Sequence, residues 1–589
     1  MSVGFQITSD PDRTTVEAPR GGTERAGARR VRFLYVADLD PQGTAPPAGA
    51  RVRSVDASSL ADVWRDWAPH LDVTVADLLG GGERRSVAWS LDAADALTPA
   101  GIVRRVPELA AVAAARDALA DARGGSLADL RARLAETGLP GAGALADAVA
   151  RRDTPAPDAA GSDALDRILG MVDGAPAPSG GVLDTLVGAA AGSSSDVDGA
   201  AASRAADDLG RRLAAQVVAL LEHPDVQRAE AAWRGLQFLV KRLAFRDGAR
   251  LDVLAATKPD LDETLHHAVL LPEHADGAAR DPLAAILVGH DVSATSADFA
   301  LLGELAATGA SLQVPVVVSA APAFFGFDAP TDLTRMPPVG PMLDQTAYAA
   351  FRSLRARQDA AFLVVGVGAF VLRPAWGDAF PDRAHRVEGG GILWGGAALL
   401  VGAAMAARHA ATGWPTASAG TAVEGLHVRT TRMGAMPLSA SFSESVIQDL
   451  ARAGFTAFAG PLNTDKAVMG PPATVARPAD ASHEAASQAR LPTAVVSALA
   501  AHEALRIGPA CGVPDGEATR AAVEAHFRAW LGTSDEDAVT VQLLDEHDTE
   551  TTRTLGVRLR PPAAIVPGGV GVVLGVECPR TGEPTGDGA

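Results

Sequence analysis

Two places in this chain begin like the helix of a zinc protease, His483-Glu484 and His502-Glu503. That chemistry needs a second histidine four positions after the first, so that both imidazoles share a helix face and the glutamate can serve as base. Ser487 and Arg506 stand there instead, and both pairs read as polar helix positions. Gly366-Val367-Gly368 follows a strand-like run, as a dinucleotide fingerprint would, but the place of its third glycine is taken by Val371. The segment reads as a turn between packed elements. A phosphate-cradling loop ends in Gly-Lys-Ser or Gly-Lys-Thr, and none of the three lysines, Lys241, Lys258 and Lys466, follows a glycine. No Gly-x-Ser-x-Gly nucleophile elbow occurs. Lone histidines such as His290 and His427 read as structural residues. Two cysteines, Cys511 and Cys578, cannot build a disulfide framework or a cysteine-rich metal site and fit a reducing compartment. The expectation is a protein that is not an enzyme, with no catalytic set, no metal and no cofactor.

Composition narrows the class further. Coating nucleic acid needs clustered Lys and Arg, which a formal charge of -19 argues against. An apolar share of 47% over 589 residues is enough for more than one core. Residues 1–10 lack the basic and apolar regions of a signal peptide. Residues 391–407 carry no charge, but they are short for a membrane span and rich in Ala and Gly, so they read as a buried helix. A cytoplasmic protein with no direct membrane insertion is expected.

The elements that would hold such a chain together fall into five stretches. Residues 1–28 form a lone strand and tether: Val3, Phe5 and Ile7 alternate with Gly4, Gln6 and Thr8, and the Pro- and Gly-rich residues 9–28 have no apolar face. Such a strand satisfies its backbone by pairing with the edge of another sheet, often in another chain. Residues 29–137 form a small α/β unit. It has a strand over 29–38, a helix over 54–70 with Leu60, Val63, Trp64 and Trp67 on one stripe, a strand over 86–91, and a helix over 98–122 broken at Pro107. Residues 138–207, dense in Ala, Gly, Ser, Pro and Asp, read as a linker with short apolar patches at 165–172 and 182–187. Residues 208–530 hold a larger domain. Leu213, Val217, Leu220 and Leu221 share a helix face, His223-Pro224-Asp225 interrupts, and Val226, Ala229, Trp233, Leu236, Val240 and Leu243 resume it. Strands over 251–255, 284–289, 314–320 and 362–367 then alternate with helices over 298–307 and 346–357, which indicates a parallel or mixed sheet covered on both faces. Residues 531–589 form a β cluster and tail, with strands over 539–544, 554–559 and 570–576. The acidic runs Asp535-Glu536-Asp537 and Asp545-Glu546-His547-Asp548 read as solvated loops and strand ends.

The order His223-Pro224-Asp225, then Trp233-Arg234-Gly235-Leu236, resembles the entry helix of the large sheath protein of type VI secretion systems. The resemblance continues through 281–289, 301–306, 315–320 and 324–326, then Leu393-Trp394-Gly395, Gly413-Trp414, Val423-Glu424-Gly425-Leu426, Gly454-Phe455 and Asp465-Lys466-Ala467-Val468. It covers about 209–577. One departure is Gly289-His290-Asp291, where the family has Gly-Asp-aromatic. The first 137 residues resemble the small sheath protein through 31–39, Val55-Asp56, Ala68-Pro69 and Val106-Pro107-Glu108-Leu109. The resemblance implies a fusion of the two. It implies a subunit that polymerises helically around an inner tube and contracts without spending nucleotide. The implied partners are further copies of itself, an inner-tube protein, baseplate components and a recycling AAA+ unfoldase, with no nucleic acid. The expected fold is α/β: a small N-terminal domain, a larger domain with a mixed sheet, and terminal strands forming an intersubunit β-sheet. Val3, Phe5 and Ile7 are the expected donors, and Val539, Val541, Leu543, Leu555, Val557 and Leu559 the accepting strands of a neighbour. Trp233, Arg234, Gly235, Leu236, Trp394, Gly395, Glu424 and Gly425 form the motif core. A non-contractile tubular scaffold and a doubly wound α/β enzyme are the alternatives.

Overall fold

A computed structural model of the chain describes residues 29–40, 49–80, 83–122, 125–152, 193–276, 279–377, 380–480, 482–511, 516–544, 548–549, 551–567 and 571–580. The donor strand with Val3, Phe5 and Ile7, its tether, and the patches at 165–172 and 182–187 lie outside the described residues.

The chain enters with β1 (Val31–Ala37), apolar on both faces and therefore stable only between covering layers. Where the spacing predicts one helix over 54–70, a short strand β2 (Arg53–Val55) precedes α1 (Leu60–Trp67). The cause is local. The Asp56 carboxylate accepts from the Ser58 and Ser59 amides at 2.8 and 2.9 Å, a turn that must close before the helix starts. The hairpin of β3 (His70–Val75) and β4 (Arg85–Ser90) leads to α2 (Pro99–Arg105) and α3 (Pro107–Asp121). Val106 is extended between these helices, the break expected before Pro107.

After α4 (Leu127–Glu136) the structure narrows the expected linker. α5 (Ala142–Ala148) and β5 (Ala150–Arg152) follow, β5 pairs antiparallel with β6 (Ser193–Val197), and α6 (Gly199–Leu221) begins well before residue 208. Asp198 caps α6 by accepting from the Ala200 and Ala201 amides. Alanine makes little hydrophobic pattern yet is the best helix former, which is why this stretch reads as linker and folds as helix. α7 (Pro224–Val240) then starts at the expected interruption, with His223 as its cap.

Alternation follows: β7 (Ala249–Ala255), β8 (Leu283–Val292), α8 (Ser296–Leu312), β9 (Val316–Ala320), β10 (Leu363–Val367) and the hairpin of β11 (Ala369–Arg373) and β12 (Leu393–Gly396). The buried helix expected over 391–407 is α9 (Ala397–Thr412), whose start is displaced because 393–396 pair with β11. No described helix is long and apolar enough to cross a membrane. Besides several short helices, the chain continues through β13 (Ala422–Val423), the hairpin of β14 (Arg429–Thr431) and β15 (Gly434–Met436), β16 (Phe455–Ala459), β17 (Ala467–Met469), α10 (Leu491–Ile507), α11 (Gly516–Leu531), β18 (Val539–Leu543), β19 (Thr552–Leu559) and β20 (Val572–Pro579).

Nine strands make one mixed sheet in the order β13-β17-β16-β10-β9-β8-β1-β7-β2. From β16 through β7 neighbours run parallel, while β17, β13 and β2 are antiparallel at the rims. β1 lies between β8 and β7, joining Phe33 to Ala285 on one side and to Leu251 on the other. The unit read as 29–137 therefore lends its first two strands to the sheet of the larger one and does not close a core by itself. Alternate residues of the central strands feed opposite cores. Phe33, Tyr35, Leu287 and Val317 face the cluster that includes α6, α7, α9 and the N-terminal helices, whereas Leu34, Val36, Ile286 and Val316 face the cluster beneath α8.

Candidate assembly site

Residues singled out for chemistry are placed as packing elements. A Cβ on Gly366 would lie 2.7 Å from that of Ala397, and Gly368 turns β10 into β11 at φ +98, so these glycines serve close approach and a turn. His502 Nε2 sits 2.9 Å from the Arg280 carbonyl oxygen. Among the described residues no three His, Cys, Asp or Glu side chains gather as a metal site.

The motif residues of α7 join the two halves of the chain. Trp233 is fully buried, donates from Nε1 to the Leu39 carbonyl at 3.0 Å, and stacks on Trp64 with centroids 4.3 Å apart. Gly235 has to be glycine, since a Cβ there would meet the Tyr35 hydroxyl at 2.6 Å. Leu236 is buried beside them. Arg234 donates to Glu230 at 2.6 Å, and Glu230 is also gripped by Arg373 of β11 at 2.7 and 3.2 Å. Arg373 spends its remaining donors on the carbonyls of Pro374, Gly390 and Gly391, so a buried ion cluster ties α7 to the β11–β12 connection. A lone arginine closing the apolar run Ala369–Arg373 is the only trace of this in the sequence, and neither Glu230 nor Arg373 is in the expected set.

Of the later motif residues, Gly395 is buried, Trp394 half-buried, and Glu424 and Gly425 exposed. Trp394 is half-buried beneath the Arg429 guanidinium, and a Cβ on Gly395 would meet the Phe370 ring at 2.6 Å. Glu424 pairs with Lys466 at 2.6 Å, and Gly425 has φ +67.

The C-terminal strands form a separate antiparallel sheet, β18-β19-β20. Leu555, Val557 and Leu559 belong to its middle strand, paired on both sides and buried, so no further strand can dock on them. This corrects half of the expected accepting set. The bonds Leu544 N to Thr554 O and Arg560 N to Ala538 O set the β18–β19 ladder on even-numbered residues of β18. The backbone groups of Val539, Val541 and Leu543 thus point to the outer edge, where no described strand pairs. The outer edge of β20 is partly occupied: Gly508 comes so close to the Glu577 carbonyl that a Cβ would lie 2.4 Å from it.

Next to this sheet the chain emerges from its undescribed N-terminal segment through an aromatic clamp. The Arg29 guanidinium lies 3.9 Å from the Trp414 ring centroid and 4.4 Å from that of Trp530, and it donates to the Trp530 carbonyl at 2.7 Å. Burial lowers its pKa to about 10, opposed by the charge of Glu503. His409 Nε2 is 2.7 Å from the Arg29 carbonyl. A cavity of about 210 Å3 adjoins the clamp, lined by Arg30, Arg280, His502, Glu503 and Arg506 among others. Burial would raise the Glu503 carboxyl, but hydrogen bonds from Arg506 and His526 outweigh it and hold the group below its ordinary range. Neither Arg29 nor Trp530 is in the expected set, because their contact spans the whole chain.

Two protein-family models match. One, described as EvpB/VC_A0108, tail sheath N-terminal domain, covers residues 203–475. The other, described as type VI secretion system, VipA, VC_A0107 or Hcp2, covers residues 32–136. Among curated proteins, the type VI secretion system sheath protein TssC1 of Pseudomonas aeruginosa is 25% identical over 329 residues, spanning 50% of this chain and 66% of the relative. Among solved structures, the contracted sheath complex of an extracellular contractile injection system, PVC, is 11% identical with a TM-score of 0.34, covering 57% of this chain and 78% of that one. A sheath tail protein of Desulfitobacterium hafniense is 11% identical with a TM-score of 0.28, covering 52% and 59%.

Proposed function

We propose that this chain, a type VI secretion sheath protein with a VipA-like and a VipB-like part in one polypeptide, is the repeating structural subunit of a contractile sheath. The observation that carries the reading is the succession of two sheath-family matches, over 32–136 and 203–475, on strands that share one sheet. In this reading the subunit polymerises helically around an inner-tube protein, meets baseplate components at one end, and works in the cytoplasm. An AAA+ unfoldase recycles the contracted form. The stroke draws on energy stored in subunit contacts, so those contacts have to slide without parting.

Strand exchange supplies such a joint. Val3, Phe5 and Ile7 of one subunit pair along the outer edge of β18 in the next, where Val539, Val541 and Leu543 present their backbone groups. Main-chain hydrogen bonds hold the strand while residues 9–28 absorb the movement. A head-to-tail contact of this kind does not close on itself and propagates a helix. Electron microscopy of the purified full-length chain tests the reading. Helical tubes in long and shortened forms are expected, and tubes lost on Phe5→Asp with a folded soluble protein support the exchange. A discrete monomer in wild type overturns the sheath reading, and normal tubes from Phe5→Asp overturn the exchange alone.

A further inference from the structure

The hairpin of β14 and β15 exposes apolar surface inside a basic rim. Met433 at its tip is 73% exposed, and Val428 and Leu462 are 42% and 37% exposed. Leu462 belongs to the same surface because the next residue, Asn463, bonds Ala435 in both directions, at 2.7 and 3.1 Å. Around these residues the cations gather. Arg234, Lys241 and Arg242 all bear on His427, whose protonation is disfavoured first by burial and then by those charges. Arg242 reaches the Glu424 and Gly425 carbonyls, Lys466 pairs with Glu424, Arg429 stacks over Trp394, and Arg432 is exposed beside Met433. Two of the chain's three lysines therefore sit on one patch of a protein whose formal charge is -19. The acids beside them are few: Glu424 is engaged with Lys466, Asp465 is exposed, and Glu230 is buried and shared by Arg234 with Arg373.

We propose that this basic-rimmed hairpin is a contact between copies of the chain, with the Met433 tip seated on an acidic stretch of a second subunit. The inference rests on the reading of the chain as a polymer subunit. Charge complementarity selects the occupant. Nucleic acid is repelled by the molecule as a whole, whereas a second copy is itself acidic and stands at the highest local concentration in a polymer. The residue types match the division of labour at protein interfaces, with a flexible apolar anchor at the centre and charges at the rim that steer and orient. Rim charges are screened by salt and a buried anchor is not, so the two parts respond differently to ionic strength.

The test compares the full-length wild type with Met433→Asp and with the double variant Lys241→Glu, Arg432→Glu. Folding is checked by circular dichroism and thermal melting, and polymer by sedimentation and electron microscopy. All three proteins are expected to fold. Met433→Asp is expected to raise the critical concentration for assembly at least about tenfold, as loss of a central anchor does. The double variant is expected to raise it less and to flatten its dependence on salt. Wild-type tubes with unchanged tubes from both variants overturn this contact and leave the sheath reading standing. A wild type that never polymerises overturns both. Flotation of the wild type with phosphatidylserine vesicles, lost in the double variant while its tubes stay normal, also overturns the contact, because the rim then serves a lipid surface.

Discussion

The nine-stranded sheet and the three-stranded C-terminal sheet handle their edges in opposite ways. The large sheet ends in short antiparallel strands, β13 and β2, and is covered on both faces by separate cores. The small sheet leaves Val539, Val541 and Leu543 with outward backbone groups on β18, while its side chains Val539 and Val541 are buried against the body. An exposed edge is ordinarily a liability that short strands, charges and bulges suppress. In the proposed reading, the large sheet with its short rim strands holds the subunit together, and the open edge of β18 joins it to the next.

The difference can be broken from the closed side first. Glu230→Ala leaves Arg373 buried without its carboxylate and is expected to cost about 3–5 kcal/mol, read as a lowered urea midpoint. A smaller cost for the double replacement Glu230→Met, Arg373→Met is expected, since no lone charge remains. An unchanged midpoint for Glu230→Ala would mean that the cluster does not hold the joint.

Proline substitution then separates ladder from edge within the small sheet. Val557→Pro in β19 removes a ladder hydrogen bond and is expected to cost about 3 kcal/mol or more. Val541→Pro in β18 removes only an outward amide and is expected to cost about 1–2 kcal/mol while abolishing tubes. Equal loss of stability in both variants would show that the outer edge of β18 is not open.

The smallest expected effect concerns pH at the clamp. The Glu503 carboxyl lies below its ordinary value of 4.5 in the folded protein. Its contribution is therefore present above the unfolded pKa and is lost as pH falls through the lower folded value. Glu503→Gln is expected to destabilise the chain at pH 7 and to converge on wild type in acid, measured by urea unfolding across pH. A constant difference at every pH would place the effect in packing rather than charge.

Much of this protein was legible in local chemistry. Alternation and turn residues located β1, β4, β7 to β10 and β18 to β20 but not the shorter strands or β16 of the large sheet, Pro107 and His223-Pro224 marked helix boundaries, and Trp233-Arg234-Gly235-Leu236 pointed to a sheath family. Helix 199–221 was cut short because alanine carries propensity without pattern, and 54–70 was overextended because Ser54 and Val55 pair with a strand nearly two hundred residues away. Periodicity reports which faces of an element are buried, since that depends on neighbours along the chain. It is silent on which element covers them. That β1 threads between β8 and β7, that Arg373 finds Glu230 and that Arg29 meets Trp530 were decided by tertiary structure, because each is a contact between residues far apart in sequence.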